Sequence, residues 1–263
     1  MSGAAAAGAS APPDRAAATP GLSIVIPVYN EEASLPLLWP ELRGVLDTLA
    51  MTWEVLFVDD GSRDRSAEVV RGFRESDARV RLVRLKANAG ETAATDAGFR
   101  AARGRWVVTM DADLQNDPRD IPTLLGHLDR WDVVTGWRVD RGAGDTWIRR
   151  VSSRIANRVR NALTGESIRD SGCTFRALRR ECLRGLELYR GFHRFVPTLL
   201  RMRGYRVIEV PVHHRPRRLG RSKYGVLNRA LVAFADLLVV RWMQRRLLRY
   251  EIAEELGGGL VRE

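Results

Sequence analysis

Short apolar runs alternate with amphipathic segments along the first half of the chain. The runs are LSIVIPV, WEVLFVDD, RVRLVRL, RWVVTMDAD and WDVVTGW, which begin at residues 22, 53, 79, 105 and 131. Runs of Val, Ile and Leu that are too short for helices are typical of strands buried on both faces of a parallel sheet. The intervening segments favour helices, at 31–50, 63–77, 91–103 and 119–130. This alternation predicts an α/β fold with a Rossmann-like, mostly parallel open sheet and flanking helices.

Polar residues gather where three of these predicted strands end. PVYNEE follows the first strand, DDGSRD the second and DADLQND the fourth. In open parallel sheets, ligands bind at the loops that follow the carboxyl ends of the strands. Three polar ends at equivalent positions therefore predict one shared site.

The regular alternation fades after about residue 140. An Arg-rich segment at 145–163 favours a helix, and DSGCTFRALRR follows it from residue 170. A helix at 192–203 and the strand YRVIEVPV come next. The basic loop HHRPRRLGRSKYG then follows directly.

Composition divides the chain into three segments. Residues 1–20 are rich in Ala, Gly, Ser and Pro and lack a long apolar stretch, which predicts a disordered leader and not a signal peptide. Residues 21–225 carry the strand and helix pattern of one domain. Residues 226–263 predict an amphipathic helical C-terminal segment.

The C-terminal segment is apolar but interrupted by charge. Arg229, Asp236 and Arg241 break it, so no run approaches the ~20 apolar residues that cross a bilayer. The spacing favours a helix with one apolar face and Trp242 near its end. A basic cluster accompanies it, formed by Arg241, Arg245, Arg246 and Arg249. Such a helix lies in a membrane interface, or packs on the domain or in a dimer seam, and both alternatives stay open.

Charge narrows the class of ligand. Lys and Arg number 43 against 32 Asp and Glu, a net charge of +11. Because Arg binds phosphate with paired hydrogen bonds, the excess suggests a nucleotide, a nucleic acid, an acidic membrane or a phosphorylated substrate. No nucleic-acid partner is expected, since the sequence has no nucleic-acid-binding motif and its strand ends are acidic. Cys173 and Cys182 lack metal-ligand spacing and indicate a reducing compartment.

The DADLQ segment carries the candidate metal ligands. Asp111 and Asp113 lie two residues apart at a strand end, and the Gln115 carbonyl follows. Carboxylate and amide oxygens bind Mg²⁺ or Mn²⁺, and so few of them leave positions for phosphate oxygens and water. The alternative is that the two aspartates only cap the turn and helix start at Asp117 and Pro118.

IPVYNEE and DDGS are compatible with a nucleoside site. Tyr29 offers an aromatic face and Glu31 an acceptor, while Asp59 and Asp60 add two acceptors. Both motifs are equally compatible with a helix start or a strand-to-helix turn. No GxGxxG follows a strand and no GxxxxGK[ST] occurs, so dinucleotide and P-loop sites lose support.

Six motifs in one order carry a family resemblance. They are IPVYNE, VDDGS, NAGETAATDAG, MDADLQ, DSGCTFRALRR and RLGRSKY. Over about residues 21–225 they resemble the family-2 glycosyltransferases of the GT-A fold, most closely the branch of dolichol-phosphate mannose synthases and polyprenyl-phosphate glycosyltransferases. Residues 21–225 are then a GT-A catalytic domain.

The resemblance implies an activity and its substrates. It implies inverting, metal-dependent transfer of a hexosyl group from a nucleotide sugar to a polyprenyl or dolichyl phosphate, at the cytoplasmic face of the membrane. GDP-mannose is the first donor that it suggests and UDP-glucose the next. Within the same fold, a soluble or polysaccharide acceptor is the alternative.

The resemblance also assigns donor-side roles to individual residues. Those that match the nucleoside-binding positions are Pro27, Tyr29, Glu31, Val58, Asp59 and Asp60. Those that match the metal-binding element, with Mg²⁺ or Mn²⁺ gripping the diphosphate, are Asp111, the backbone of Ala112, Asp113 and Gln115.

On the acceptor side, the matching residues are basic or hydroxylic. Those lining the acceptor phosphate are Arg138, Arg149 and Ser153. Those of a loop that closes over the diphosphate and the acceptor are Arg217, Gly220, Ser222 and Lys223. Arg149, Arg217 and Lys223 are expected to contact the donor as well. Asp170 is expected to orient the acceptor or a catalytic arginine, with a purely loop-holding role as the alternative.

Several relatives of this branch carry transmembrane helices after the catalytic domain, and this sequence shows none. A peripheral protein is therefore expected, reaching its lipid from the membrane surface through the basic loop and the C-terminal segment. A membrane-anchoring partner or a homo-oligomer is a further expectation. Cys173 is expected to pack, and His213 and His214 are expected to face solvent or to be hydrogen-bonded and not to bind metal.

Overall fold

Seven strands form one sheet in the computed structural model, which describes residues 19–139, 157–170, 172–216, 226–248, 250 and 253–254. The strands are β1 (Leu22–Val28), β2 (Trp53–Asp59), β3 (Val80–Arg84), β4 (Trp106–Thr109), β5 (Val133–Arg138), β6 (Arg176–Arg179) and β7 (Val207–Val212). Their order is β3-β2-β1-β4-β6-β5-β7. β6 runs antiparallel to β4 and β5, and the remaining pairs are parallel. The predicted mostly parallel open sheet is confirmed, with β6 as an addition that the pattern did not predict.

Helices flank the sheet. They are α1 (Leu35–Leu46), α2 (Ser66–Ser76), α3 (Glu91–Ala101), α4 (Ile121–Gly126), the helical residues 157–164 (α5), α6 (Val196–Met202) and α7 (Val226–Arg246). Short 3₁₀ turns precede α4 and α6, at Pro118–Asp120 and Phe192–Phe195. The predicted helices at 119–130 and 192–203 are therefore each a 3₁₀ turn followed by a short α-helix. Pro122 and Pro197, near the first turns of α4 and α6, suit helix starts.

Both faces of the sheet are buried, which explains the continuous apolar runs. On β1, Leu22, Ile24 and Ile26 pack into the core under α1 and α2, whereas Val25 packs into the core on the opposite face. Alternate side chains of a strand point to opposite faces, so a strand covered on both sides must be apolar throughout.

The C-terminal helix α7 packs on the domain along one side. Leu237 and Val240 are buried in the same core cluster as Phe192 and Phe195. Another part of its surface exposes large apolar side chains, namely Val232, Phe234, Leu238, Val239 and Trp242. Within the described ranges, no helix combines the length and the apolar character that a membrane span requires.

Candidate functional site

The carboxyl ends of β1, β2 and β4 meet at one edge of the sheet. β1 lies between β2 and β4 and runs parallel to both, with Val28 beside Asp59 and Val25 beside Thr109. Pro27 and Val58 are also direct register partners. The three polar segments that follow these strands therefore lie on the same edge, as the sequence predicts.

The loops after β1 and β2 interlock. The backbone N–H of Asn30 donates to Ser62 Oγ at 3.0 Å, and the N–H of Arg63 donates to Asn30 Oδ1 at 2.8 Å. The N–H of Glu31 donates to Ser66 Oγ at 2.8 Å. Asn30 and Glu31 are thus held beside the DDGS turn, and Tyr29 directly precedes them.

The carboxylates of Asp59 and Asp60 accept hydrogen bonds from groups of the surrounding segments. Asp59, 1% exposed, accepts from the N–H of Ser62 and from Arg84 Nε, both at 2.9 Å. The two oxygens of Asp60 accept from Asn88 Nδ2 and from the N–H groups of Ala89 and Gly90, at 2.7, 2.7 and 2.9 Å. These bonds shape the edge of the site, while contact of either residue with a nucleoside stays a prediction.

The DADLQ segment is a closed turn at the end of β4. Thr174 Oγ1 lies 2.8 and 2.7 Å from the two carboxylate oxygens of Asp111, whose N–H donates to Asn116 Oδ1 at 2.8 Å. Leu114 has a positive φ of 66°, and the N–H of Gln115 donates to Asp113 Oδ1 at 3.1 Å. The chain reversal brings Asp111, Asp113 and Gln115 together in one turn.

Negative charge accumulates around Asp111. Loss of water contacts raises its pKa to about 7, and the nearby carboxylates of Glu91 and Asp113 contribute in the same direction. Hydrogen bonds from Thr174 and the charge of Arg138 oppose that shift. A divalent cation would neutralise this charge, and the oxygen donors fit Mg²⁺ or Mn²⁺. In the part of the chain that the structure describes, no three His, Cys, Asp or Glu side chains form a metal site.

Glu91 was not predicted as a site residue. It is the first residue of α3 and directly follows the segment NAG, which is hydrogen-bonded to Asp60. The only sequence signal was an acidic residue at a helix start, which is common for reasons of helix stability. Its effect on Asp111 arises from the fold, because the two residues come from different loops.

Arg138 and Asp170, both predicted, form a close ion pair. Nε and Nη2 of Arg138 lie 2.6 and 2.9 Å from the two oxygens of Asp170, and the side chains are 17% and 7% exposed. The backbone N–H groups of Arg169 and Asp170 donate to Glu209 on β7, at 2.8 and 3.2 Å. Asp170 therefore orients the guanidinium of Arg138 and also accepts the N–H of Gly172 in its own loop. That Arg138 acts on the acceptor stays a prediction.

Arg176 is a buried arginine that was not predicted as a site residue. It donates from Nη2 to the carbonyl of Cys173 and from Nη1 to the carbonyl of His193, both at 2.7 Å. Burial lowers its pKa to about 10, and the negative charges of Asp111 and Glu91 act against that shift. These bonds fix the segment that carries Thr174. The sequence feature that could have identified Arg176 is its position two residues after Thr174 in DSGCTFR.

The chain after β7 runs back over the DADLQ turn. We call residues 213–216 the stem, because they lead into the predicted basic loop. His213 donates its N–H to Asp120 at 2.7 Å, and its Nδ1 lies 2.9 Å from the same carboxylate. The N–H of Arg215 donates to the carbonyl of Gln115 at 2.9 Å, and its guanidinium contacts Glu41 and Asp117 at 2.8 Å. The stem is therefore attached to the turn that carries the candidate metal ligands.

Six predicted site residues lie outside the described residues: Arg149, Ser153, Arg217, Gly220, Ser222 and Lys223. The same holds for residues 1–18 of the expected leader and for the first part of the predicted 145–163 helix. Their roles stay predictions.

Comparison with known proteins identifies relatives over most of the chain. The sequence profile described as Glycosyl transferase family 2 matches residues 23–186. A dodecaprenyl-phosphate galacturonate synthase from Rhizobium johnstonii is 37% identical over 230 residues, which are 85% of this chain and 67% of that protein. An undecaprenyl-phosphate 4-deoxy-4-formamido-L-arabinose transferase from Edwardsiella ictaluri is 41% identical over 209 residues, 79% of this chain and 64% of that protein. The chain thus spans about two thirds of the length of these relatives.

Solved structures share the fold at low sequence identity. Glucosyl-3-phosphoglycerate synthase from Mycobacterium tuberculosis, in complex with Mn²⁺, UDP and phosphoglyceric acid, has a TM-score of 0.65 at 20% identity and covers 88% of this chain and 80% of its own. A mannosyltransferase from Pyrobaculum calidifontis, in complex with GDP-Man and Mn²⁺, has a TM-score of 0.58 at 22% identity, over 86% of this chain and 64% of its own. Together with the profile match and the two sequence relatives, the six motifs lead to one conclusion: the chain belongs to glycosyl transferase family 2.

Proposed function

We propose that the protein transfers a glycosyl group from a nucleotide sugar to a polyprenyl phosphate. The observation that carries this proposal is the meeting of opposite charges at one sheet edge. Asp111 and Asp113 lie in the turn after β4, and the Arg138–Asp170 pair lies close enough for Arg138 to oppose the rise in the pKa of Asp111. Two anionic substrates require such an edge, with a cation on the donor side and fixed guanidinium groups on the acceptor side.

On the donor side, Asp111, Asp113 and Gln115 would hold Mg²⁺ or Mn²⁺. The cation would neutralise charge on the leaving diphosphate. Thr174 orients Asp111 through bonds to both of its oxygens. The nucleoside lies against Tyr29 and Glu31, beside the DDGS turn.

On the acceptor side, a lipid phosphate oxygen attacks the anomeric carbon while the bond from that carbon to the diphosphate breaks. The attacking oxygen is already anionic near neutral pH, so it needs positioning more than a strong general base. Arg138, held by Asp170, supplies a fixed positive charge. Arg149 and Ser153, with Arg217 and Lys223 of the basic loop, complete this side. A single in-line displacement inverts the configuration.

The identity of the donor sugar is the most specific element of the proposed activity. GDP-mannose is the first candidate from the family resemblance and UDP-glucose the second. The names of the two relatives, a galacturonate synthase and a 4-deoxy-4-formamido-L-arabinose transferase, add other sugars to the set that must be compared.

Transfer to lipid is tested directly with radiolabelled donors. The protein is incubated with a short polyprenyl phosphate, Mg²⁺ or Mn²⁺, and either GDP-mannose, UDP-glucose or UDP-galacturonate. We expect label from one donor to enter an organic-soluble, acid-labile product, and none to enter when the unphosphorylated polyprenol replaces the phosphate. Label that enters only water-soluble acceptors would support the alternative of a soluble or polysaccharide acceptor.

We also propose that the protein works peripherally on the cytoplasmic face of the membrane. The exposed apolar side chains of α7 and the arginines at its end support binding to a membrane surface, and the family resemblance suggests the cytoplasmic face. A helix with apolar and basic surface binds anionic interfaces without crossing them.

A further inference from the structure

The side chain of Gln115 is held by the stem. Its amide nitrogen Nε2 lies 3.2 Å from Nε2 of His214 and 3.4 Å from the main-chain carbonyl oxygen of Arg215. A carbonyl oxygen can only accept a hydrogen bond, so the NH₂ group of the amide must face the stem. Nε2 of His214 then accepts from the same NH₂ group.

The backbone of Gln115 is fixed independently of that side chain. Its N–H donates to Asp113 Oδ1 at 3.1 Å, and its carbonyl accepts from the N–H of Arg215 at 2.9 Å. Asn116 and His214 also pair as an isolated β-bridge. The contacts with His214 and the Arg215 carbonyl therefore determine only how the terminal amide is rotated. With the nitrogen directed at the stem, Oε1, on the same carbon, is directed away from it.

We infer that His214 is a positioning residue for the divalent cation. It selects the orientation of the Gln115 amide that presents Oε1, and not the NH₂ group, to the metal. Mg²⁺ and Mn²⁺ bind amide oxygen and not amide nitrogen, so the wrong orientation removes a ligand. The inference rests on the proposed function, since it requires a metal at Asp111, Asp113 and Gln115. It also means that the stem, from which the basic loop continues, contacts a proposed metal ligand through its side chain as well as through its backbone.

The neighbouring histidine provides a matched control. His213 has the same chemistry, lies in the same stem and is 67% exposed on its side chain. Its ring contacts Asp120. A substitution at 213 therefore changes the local charge and the stem, but does not change the contact with the Gln115 amide.

The test measures Mn²⁺ binding by the electron paramagnetic resonance signal of free Mn²⁺, with UDP or GDP present. We expect His214→Leu to raise the Kd for Mn²⁺ about tenfold. This is the lower end of the loss in metal affinity that is typical when a residue orienting a metal ligand is removed. His214→Gln, whose Oε1 can accept near the position of Nε2, should restore most of the affinity. His213→Leu should bind like the wild type. Circular dichroism establishes that each variant is folded, and His214→Ala replaces the leucine variant if that one is not.

A double-mutant cycle separates positioning from a general effect. If His214 acts through the amide, His214→Leu has no further effect on the Kd in a Gln115→Ala background. A wild-type Kd for His214→Leu, or an equal loss in both backgrounds, overturns the inference and leaves the proposed metal use intact. Failure of the wild type to bind Mn²⁺ with either nucleotide overturns the proposed metal use itself, and His214 has then no ligand to position.

Discussion

Asp111 and Asp113 are two residues apart in sequence, and their neighbours give them different chemistry. Asp111 accepts from Thr174, which lies 63 residues away, and is close to Glu91 on α3. Asp113 instead accepts the N–H of Gln115 within its own turn. A pattern of two aspartates predicts the type of ligand, whereas the pKa of Asp111 depends on the side chains that the fold brings near it.

The raised pKa of Asp111 predicts a pH-dependent stability. Between its ordinary value of 3.8 and its folded value of about 7, the folded chain holds a proton that the unfolded chain has lost. The free energy of unfolding contributed by this group therefore falls as pH rises through that window, and the loss is complete above about 7. Asp111→Asn removes the titration. In metal-free buffer at pH 8 we expect the variant to be more stable by about 1–2 kcal/mol, with less difference at pH 5.

Urea unfolding at the two pH values, with a chelator present, measures this difference. Asp96→Asn serves as the control, because Asp96 is a half-buried carboxylate on α3 paired with Arg100 and away from β4. A difference for Asp111→Asn that is the same at pH 5 and pH 8 would contradict the prediction.

Asp113→Ala tests the second candidate metal ligand, and it also removes one of the charges that raise the pKa of Asp111. We expect the variant to fold with wild-type far-UV circular dichroism, because the hydrogen bond from the N–H of Gln115 to Asp113 lies within one local turn. Mg²⁺-dependent binding of the donor nucleotide should be abolished, since a hard cation loses one of its few protein ligands. Calorimetric titration of UDP and GDP, with and without Mg²⁺, measures the effect. Unchanged nucleotide affinity in Mg²⁺ would contradict the assignment.

At the scale of elements, the site depends on contacts between loops. The turn after β2 lies directly against the segment that precedes α3, and Asp60 bonds to three groups of that segment. Gly61 has a φ of 67°, and a Cβ there would lie 2.6 Å from the backbone nitrogen of Asn88. Glycine is required because a side chain would separate the two loops.

Gly61→Ala should therefore destabilise the protein by about 2–3 kcal/mol, from a strained φ together with a backbone clash. Gly72 in α2 is the matched control, since a Cβ there meets nothing within 4 Å. Gly72→Ala should stabilise by about 0.5–1 kcal/mol through helix propensity. Chemical denaturation of both variants gives the two free energies. Equal effects of the same sign would show that loop contact at Gly61 does not matter.

At the scale of the whole molecule, a net charge of +11 and an exposed apolar side of α7 occur together. The packed side of α7 joins the core through Leu237 and Val240, so the helix is held against the domain while other apolar side chains face outward. Binding to an anionic surface uses both properties, because charge attracts the protein and apolar side chains enter the interface.

Trp242→Ser should weaken binding to vesicles rich in phosphatidylglycerol by about tenfold or more, since it removes an aromatic side chain that enters the interface. Leu37→Ser on α1 is the control, because Leu37 is 55% exposed against 61% for Trp242. Co-sedimentation over a range of salt concentrations measures the partitioning, which should weaken as salt rises. Equal binding of wild type and Trp242→Ser would argue against α7 as the contact surface.

The sequence alone predicted the elements that local pattern encodes. Continuous apolar runs predicted a sheet buried on both faces, because burial on both sides leaves no polar positions in a strand. β6 escaped prediction, since a four-residue strand has no periodicity that separates it from a loop. The six motifs predicted the family, and the profile over residues 23–186 confirms it.

What the sequence by itself determined was therefore the mostly parallel sheet and the family, while the ligands at the strand ends stay predictions. Only the tertiary structure decided which groups meet there: Glu91 beside Asp111, Asp170 on Arg138, and His214 on Gln115. The last two partners are 99 positions apart in the chain. The physical reason is that spacing encodes burial and local turns, whereas long-range contacts depend on how whole elements pack, and that packing sets the pKa of Asp111 and the orientation of Gln115.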